Sequence, residues 1–235
     1  MKAMKVVQPS AARPFRSFVV ALAGMSGLAV LLYVMGAVRG NGSMDWYLNW
    51  NLFLAWIPMV LAYVLVRRLR THAWSSWPCL ALSLVWLLFL PNSFYMVSDF
   101  IHLADMPRSE VLYDSLTFTV YILNAMILGY TGLFLVQQEL EKRVARWKAV
   151  LTSASLLFLC SFAIYLGRDL RWNSWDVLVN PAGILFDVSE RILDPSGHPE
   201  TFVVTGVFFV FLMGLYLTLS GLVKAIGEYA RAASR

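Results

Sequence analysis

The chain has 235 residues, of which 59% are hydrophobic and only 14% are charged, whereas about a quarter of the residues of a soluble domain are charged. With a mean hydropathy of +0.65, this composition excludes an ordinary soluble domain and indicates a membrane protein. The net charge of +5 does not predict a nucleic-acid partner, because the basic residues lie on alternate membrane loops.

Six predominantly apolar runs reach or nearly reach the ~20 residues that cross a hydrocarbon core. They are 15–38, 48–66, 74–90, 111–136, 147–166 and 202–226. We therefore predict an all-α polytopic membrane protein with about six transmembrane helices in one domain, 15–226. A tail of residues 1–14 precedes this domain and a tail of residues 227–235 follows it.

The charges predict the orientation of these spans. Of the 19 Lys and Arg residues, 14 lie on one set of alternate segments, and 11 of the 14 acidic residues lie on the other set. By the positive-inside rule, both termini are cytoplasmic. The first run has 24 residues, too many for the apolar part of a signal peptide, which spans about 7–15. We expect it to be a retained helix.

A polar stripe follows the third run. Asn92, Tyr95, Asp99 and His102 stand at i, i+3, i+7 and i+10, so they share one helix face among apolar neighbours. Pro91 allows two geometries: a kinked continuation of the third helix, or a second helix in the outer interface.

A second polar stretch follows the fifth run, at 167–181. If it is helical, four of its residues share one face: Asp169, Asn173, Asp176 and Asn180. Alternatively, Asn173 is the N-cap of a short interfacial helix. Arg168 and Arg171 lie in the same stretch.

Both stretches fall on the outer side of the predicted topology, where they suggest a site. Arg168 and Arg171 suit phosphate or carboxylate, and Asn92, Tyr95, Asn173 and Asn180 are further candidate substrate-binding residues. The candidate catalytic acid–base residues are Asp99, His102 and Asp176. The alternative is structural, with ion pairs that clamp the outer ends of the third and fifth helices.

No metal site is predicted. Asp99 and His102 could ligate a metal together with Asp176 or Asp169, but His102 is the single histidine of this cluster, and metal sites generally need three or more suitable ligands. Any cofactor is unknown. Cys79 and Cys160 both fall within predicted spans, so we expect no structural disulfide.

Three asparagines outside these stretches need partners inside the membrane. For Asn49 and Asn51 we favour hydrogen bonds between helices, and the alternative is a cavity open to the outside. Asn124 lies deep within the fourth run, where a packing hydrogen bond is the usual role.

Three motifs occur in order along the chain. They are Leu-Pro-Asn-Ser-Phe-Tyr-Met-Val-Ser-Asp-Phe-Ile-His-Leu at 90–103, Gly-Arg-Asp-Leu-Arg-Trp-Asn-Ser-Trp-Asp at 167–176, and Asn-Pro at 180–181. Together they resemble the bacterial multi-pass membrane family catalogued as domain of unknown function 1361. The resemblance covers roughly the second to the sixth helix. It implies a bacterial plasma-membrane protein with several spans, and it carries no activity.

Three functions fit these residues. The first is an enzyme, or an accessory subunit of one, that acts on a lipid-linked or phosphate-bearing substrate at the outer leaflet. The second is a membrane scaffold or assembly subunit that binds another membrane protein. The third is a transporter or channel, against which stands the absence of an ionisable residue in the middle of any predicted span. The expected partners are membrane lipids, with no nucleic acid.

Overall fold

The computed structural model describes residues 12–38, 46–105 and 111–233. This part of the chain contains eight α-helices, one 3-10 helix and no strand. The α-helices are α1 (Ala12–Val38), α2 (Tyr47–Arg68), α3 (Trp77–Tyr95), α4 (Val111–Glu141), α5 (Arg146–Asp169), α6 (Asp176–Val179), α7 (Pro181–Leu193) and α8 (Pro199–Ala233); the 3-10 helix, Met96–Asp105, directly follows α3.

Six of these helices are long and apolar enough to cross a membrane. The prediction of an all-α polytopic membrane protein is confirmed. The helices extend past the predicted runs, most clearly where α8 continues to Ala233 and α4 to Glu141. A run predicted from hydropathy ends where polar residues begin, but a helix that leaves the hydrocarbon can continue in water.

The fourth helix is the centre of the bundle. About 61% of the apolar window of α4 is buried, compared with 11% for α1 and 17% for α8. Helix α4 packs against α1, α2, α3, α5 and the 3-10 helix, while α8 packs mainly on α5. The faces of α1 and α8 that no other described helix covers suit lipid, which solvates apolar side chains well.

Two glycines allow the close packing of α4. A Cβ atom at Gly129 would lie 2.7 Å from Ser93 Cβ and 2.9 Å from Phe94 Cζ, both on α3. A Cβ atom at Gly132 would lie 3.4 Å from the Pro58 carbonyl oxygen of α2. Small residues at helix contacts let backbones approach closely in lipid, where dispersion forces hold helices together.

Asparagine side chains join the helices, as expected, and Asn51 on α2 does so as a hydrogen-bond partner of Asp99 on the 3-10 helix. Asn49 Oδ1 on α2 accepts a hydrogen bond of 2.6 Å from the Tyr121 hydroxyl on α4. Asn124 Nδ2 donates to Ser26 Oγ on α1 at 2.7 Å. The third, Asn51, lies beside a cavity.

Pro91 lies inside α3, which continues through it as far as Tyr95. The third helix therefore continues past Pro91, as in the first of the two predicted geometries, and then changes to 3-10 winding. Because residues three apart eclipse one another in a 3-10 helix, Asp99 and His102 stay on one face of the backbone. The side chain of His102 itself lies outside the described residues.

We define the cavity end of the bundle as the end where α3 and α5 finish and α2, α4 and α8 begin. The opposite, basic end holds Arg67, Arg68, Lys142 and Arg143. There the buried Glu139 pairs with Lys142 Nζ at 2.5 Å and Arg143 Nη1 at 2.6 Å. Arg143 Nη2 also donates to the Leu69 carbonyl at 3.4 Å, which ties α4 to the connection between α2 and α3.

Replacement of Gly129 tests the close contact between α3 and α4. We expect Gly129→Ala to lower the free energy of unfolding by about 1–3 kcal/mol, because the new methyl group overpacks Ser93 and Phe94. Thermal denaturation in detergent measures the change. Gly206→Ala on α8 is the matched control, since nothing lies within 4 Å of a Cβ atom there. Equal stability of the two variants would contradict this packing.

Candidate functional site

The two polar stretches meet at the cavity end. Asn92 Nδ2 on α3 donates a hydrogen bond of 2.9 Å to Ser174 Oγ in the connection between α5 and α6. A Cβ atom at Gly167 would lie 2.9 Å from the Tyr95 ring, so the end of α5 packs directly on the end of α3. Residues 82 positions apart in sequence therefore form one wall.

This wall borders a cavity of about 260 Å³. The cavity lies between α2, α3 and α5, with α6, α7 and the connection at 172–175 at its end. Its polar lining residues are Asn51, Asn92, Tyr95, Asn173 and Ser174, and the indoles of Trp50, Trp172 and Trp175 join them. The remaining lining is largely aliphatic, with Leu87, Leu88 and Ala163 among its members. None of the described lining residues is charged.

A tight reversal brings the connection back over α3. Arg171 has φ of 60°, in the left-handed region that costs a residue with a side chain about 1–2 kcal/mol. The next residue, Trp172, donates its backbone N–H to the Leu166 carbonyl at 3.1 Å. The chain therefore turns at Arg171, which places the Trp172 ring against the cavity.

Asp99 lies behind the cavity. It is only 4% exposed, and Asn51 is a hydrogen-bond partner of its carboxylate. Its Oδ2 atom has no hydrogen-bond partner among the residues that the structure describes. Asp99 is not among the lining residues, whereas Asn51 is, so the hydrogen bond to Asn51 connects the carboxylate to the cavity wall.

The two arginines lie next to the cavity in sequence and do not line it. Arg168 follows the lining residue Gly167, and its Nε lies 3.4 Å from Asp169 Oδ2. Arg171 precedes the lining residue Trp172 and is exposed. The charge of Arg168 acts on the Tyr95 ring hydroxyl, as do those of Asp99 and Asp169. Tyr95 is thus a lining residue that the charges of Arg168, Asp99 and Asp169 all reach.

The other residues predicted from the second stretch make local bonds. Asp176 Oδ2 accepts from the Asn173 backbone N–H at 2.6 Å, and Asn173 also lines the cavity. Asn180 Oδ1 accepts from the Gly183 N–H at 3.1 Å, which caps the first turn of α7. No single helix therefore carries all four polar residues on one face. The alternative, with Asn173 as an N-cap, is also wrong, because the N-cap of α6 is Trp175 and Asn173 instead donates its backbone N–H to Asp176.

Sequence reasoning missed the residues that hold Trp172. Trp172 Nε1 donates to Asp187 Oδ2 on α7 at 2.7 Å. Arg191, one turn further on, is only 7% exposed and donates from Nε to the Tyr165 hydroxyl of α5 at 3.1 Å. Asp187 and Arg191 stand four apart, a spacing that could have shown a common helix face.

Arg191 remains a cation in this setting. Burial lowers the pKa of its guanidinium, but the hydrogen bond to Tyr165 and the carboxylates of Asp187 and Glu190 outweigh that effect and raise the pKa above its ordinary value. The charge is therefore available to balance Asp187, whose Oδ1 lies 3.8 Å from Arg191 Nη1.

Metal ligands are not grouped in the described part of the chain, where no three His, Cys, Asp or Glu residues lie close enough to hold an ion. Cys79 and Cys160 are both buried and free. Cys160 lines the cavity.

The six spans and the cavity at one end of the bundle define a polytopic, all-α membrane protein. Its sequence from residue 50 to residue 215 matches the model of a protein family described as protein of unknown function (DUF1361). The chain belongs to this family. Neither a curated protein nor a solved structure matches the sequence of this chain.

A double-mutant cycle tests the junction of the two stretches. Asn92→Ala and Ser174→Ala each remove one partner, and we expect a coupling free energy of about 0.6 kcal/mol, with an upper range near 1.7 kcal/mol, as for side-chain hydrogen bonds in other membrane proteins. Denaturation in detergent measures it. The control cycle pairs Asn92→Ala with Ser196→Ala, because Ser196 bonds Asp194 in a separate loop. Equal coupling in the two cycles would contradict the contact.

Proposed function

We propose that the chain binds an amphiphilic molecule, lipid-linked or phosphate-bearing, in the cavity. The observation that carries the proposal is the composition of the lining: aliphatic walls from three spans and a group of amides and hydroxyls at the cavity end. Sites of this kind bind a ligand with apolar surface and orient it with a few polar groups.

The polar groups of the lining suit a neutral hydrogen-bonding group. Asn92, Asn173 and Asn51 offer amide donors and acceptors, and Tyr95 and Ser174 offer hydroxyls. A charge inside the cavity would lose its hydration without an opposite charge among the lining residues, which is costly in a low-dielectric site. The part of the ligand inside the cavity is therefore uncharged.

A phosphate would lie just outside, near Arg168 and Arg171. Each arginine adjoins a lining residue in sequence, and Arg171 is exposed. A guanidinium presents several donors in a plane and suits phosphate oxygens. This arrangement supports a ligand with its hydrocarbon in the cavity and its anionic group at the membrane surface.

The catalytic part of the sequence-based hypothesis has less support. Asp99 is not among the lining residues of the cavity, and Asp176 is used in a local turn with Asn173. Acid–base catalysis needs a group within hydrogen-bond reach of the reacting atom. Our first proposal is therefore that the protein binds its ligand without a chemical reaction. The enzyme hypothesis adds acid–base catalysis by Asp99 and His102 to this binding.

A scaffold is the second candidate. It is favoured by the local bonds of Arg168, Asp176 and Asn180, which stabilise the shape of the cavity end and leave fewer groups for a ligand. In that case the polar stretches would present a fixed surface to another membrane protein.

Filling the cavity tests the binding proposal. We expect wild-type protein, purified in mild detergent, to retain an amphiphile that native mass spectrometry detects, and Ala163→Trp to reduce its occupancy about tenfold, the effect of roughly 1.4 kcal/mol. Ala163 lines the cavity on α5, so an indole there would occupy the ligand's volume. The mass of the released ligand shows whether it carries phosphate.

Leu151→Trp is the matched control, because Leu151 is 58% exposed on the same helix and is not a lining residue. Equal occupancy in both variants, or an empty wild-type protein, would contradict binding in the cavity and leave the scaffold as the better proposal.

We infer that the protein lies in a bacterial plasma membrane with the cavity end outside and both termini in the cytoplasm. The distribution of Lys and Arg supports this orientation, and the even number of candidate spans in the described chain supports termini on the same side.

Cysteine labelling tests the orientation. The two native cysteines are buried, so single cysteines at exposed positions give a clear signal. In intact cells we expect a membrane-impermeant maleimide to label Ser196→Cys, between α7 and α8, and to label Thr71→Cys, between α2 and α3, only after permeabilisation. The reverse pattern would show that the cavity end faces the cytoplasm.

A further inference from the structure

Helices α6 and α7 form the thinnest wall of the cavity. Val177 of α6 and Ile184 of α7 line it. The walls made by α2 and α3 are backed by α4, and α5 packs against α8. On α6 and α7, in contrast, apolar side chains next to the lining residues point outward and are strongly exposed: Leu178 80%, Val179 78%, Leu185 68% and Phe186 66%.

The exposed face of α7 suits the hydrocarbon of a membrane. The helix has 13 residues, about 20 Å in length, which is too short to cross a hydrocarbon core of about 30 Å. It connects two membrane spans and carries an apolar face, as do helices that lie in the membrane interface. The occupant of this face is therefore lipid of the leaflet that surrounds α5 and α8.

Polar bonds on the inner side hold α7 against the cavity. Asp187 accepts from the Trp172 indole at 2.7 Å, and a Cβ atom at Gly183 would lie 2.8 Å from the Trp172 ring. Arg191 bonds Tyr165 of α5. The Trp172 ring is thus fixed by α7 at two points, and its position depends on Asp187.

We propose that the ligand of the cavity is a membrane-resident lipid that enters laterally from the leaflet, past α7. The hydrogen bond between Asp187 and the Trp172 indole keeps this route closed. The proposal rests on the binding function proposed above, and it adds the source of the ligand and the residue that controls its access. Asp187 is a positioning residue, since it acts through Trp172.

The labelling rate of the Cys160 thiol measures access to the cavity even when no ligand is bound, because Cys160 lines the cavity and is fully buried. In a Cys79→Ala background and in phosphatidylcholine–phosphatidylglycerol nanodiscs, its labelling rate is measured with two reagents. One is a pyrene maleimide that partitions into the bilayer, and the other is a sulfonated maleimide that stays in water.

We expect Asp187→Ala to increase the rate with the bilayer reagent about tenfold, the effect expected when a hydrogen bond to a charged group is lost, and to leave the rate with the aqueous reagent nearly unchanged. Asp187→Asn keeps an acceptor oxygen for the Trp172 N–H, so its rate should stay close to that of the wild type. Asp194→Ala is the control, because the side-chain hydrogen bonds of Asp194 in the described structure go only to Ser196 and Gly197.

Faster labelling by the aqueous reagent alone would show a route from water and overturn the proposal. If both reagents labelled Cys160 faster to the same extent, the variant would be destabilised as a whole. If neither rate changed, Asp187 would not control access to the cavity. Each of these results also overturns the proposal. None of these results bears on whether Ala163→Trp removes a bound amphiphile, so a failure of the route is distinguishable from a failure of the binding function.

Discussion

Hydrocarbon offers no hydrogen-bond partner, so every polar side chain within the bundle needs one from the protein. Asn49 and Asn124 find theirs on neighbouring helices, and these bonds set how α1, α2 and α4 face one another. Asn92 finds its partner, Ser174, in a connection far along the chain. That bond closes the cavity end, because without it the segment at 172–175 would have no polar tie to α3 among the described hydrogen bonds.

The sequence predicted the spans and the polar face of the third one because both follow from periodicity. Predominantly apolar runs show where helices cross the membrane, and the i, i+3 spacing of Asn92 and Tyr95 showed that they share a face; both line the cavity. The stretch at 167–181 contributes lining residues to the cavity, but the prediction of a single helical face was wrong, since Arg171 turns the chain left-handed. Nothing in the residue type announces such a turn, which glycine usually makes.

The part played by α7 was harder to see. Its sequence lies between the fifth and sixth predicted spans, where Asp187 and Arg191 contribute only to the charge of an outer segment. The inward side of α7 carries Asp187 and the buried Arg191, while its large apolar side chains Leu185, Phe186, Ile192 and Leu193 are exposed, which inverts the pattern of a soluble surface helix. This inversion makes sense only when the solvent outside is lipid, and sequence patterns based on water would assign the faces the wrong way round.

Charge and cavity are kept apart in this fold. The lining is neutral, while Asp99 bonds Asn51 and Arg168 lies beside Asp169. A buried charge that faced the cavity would require a charged partner there whenever the site was empty. Neutral amides require no charged partner, so the cavity can be vacant or filled at little electrostatic cost. Under the proposed binding function, a neutral site of this kind favours exchange with the surrounding leaflet over tight retention. The energy that selects a ligand would then come from the shape of the hydrocarbon pocket and from the arginines beside it.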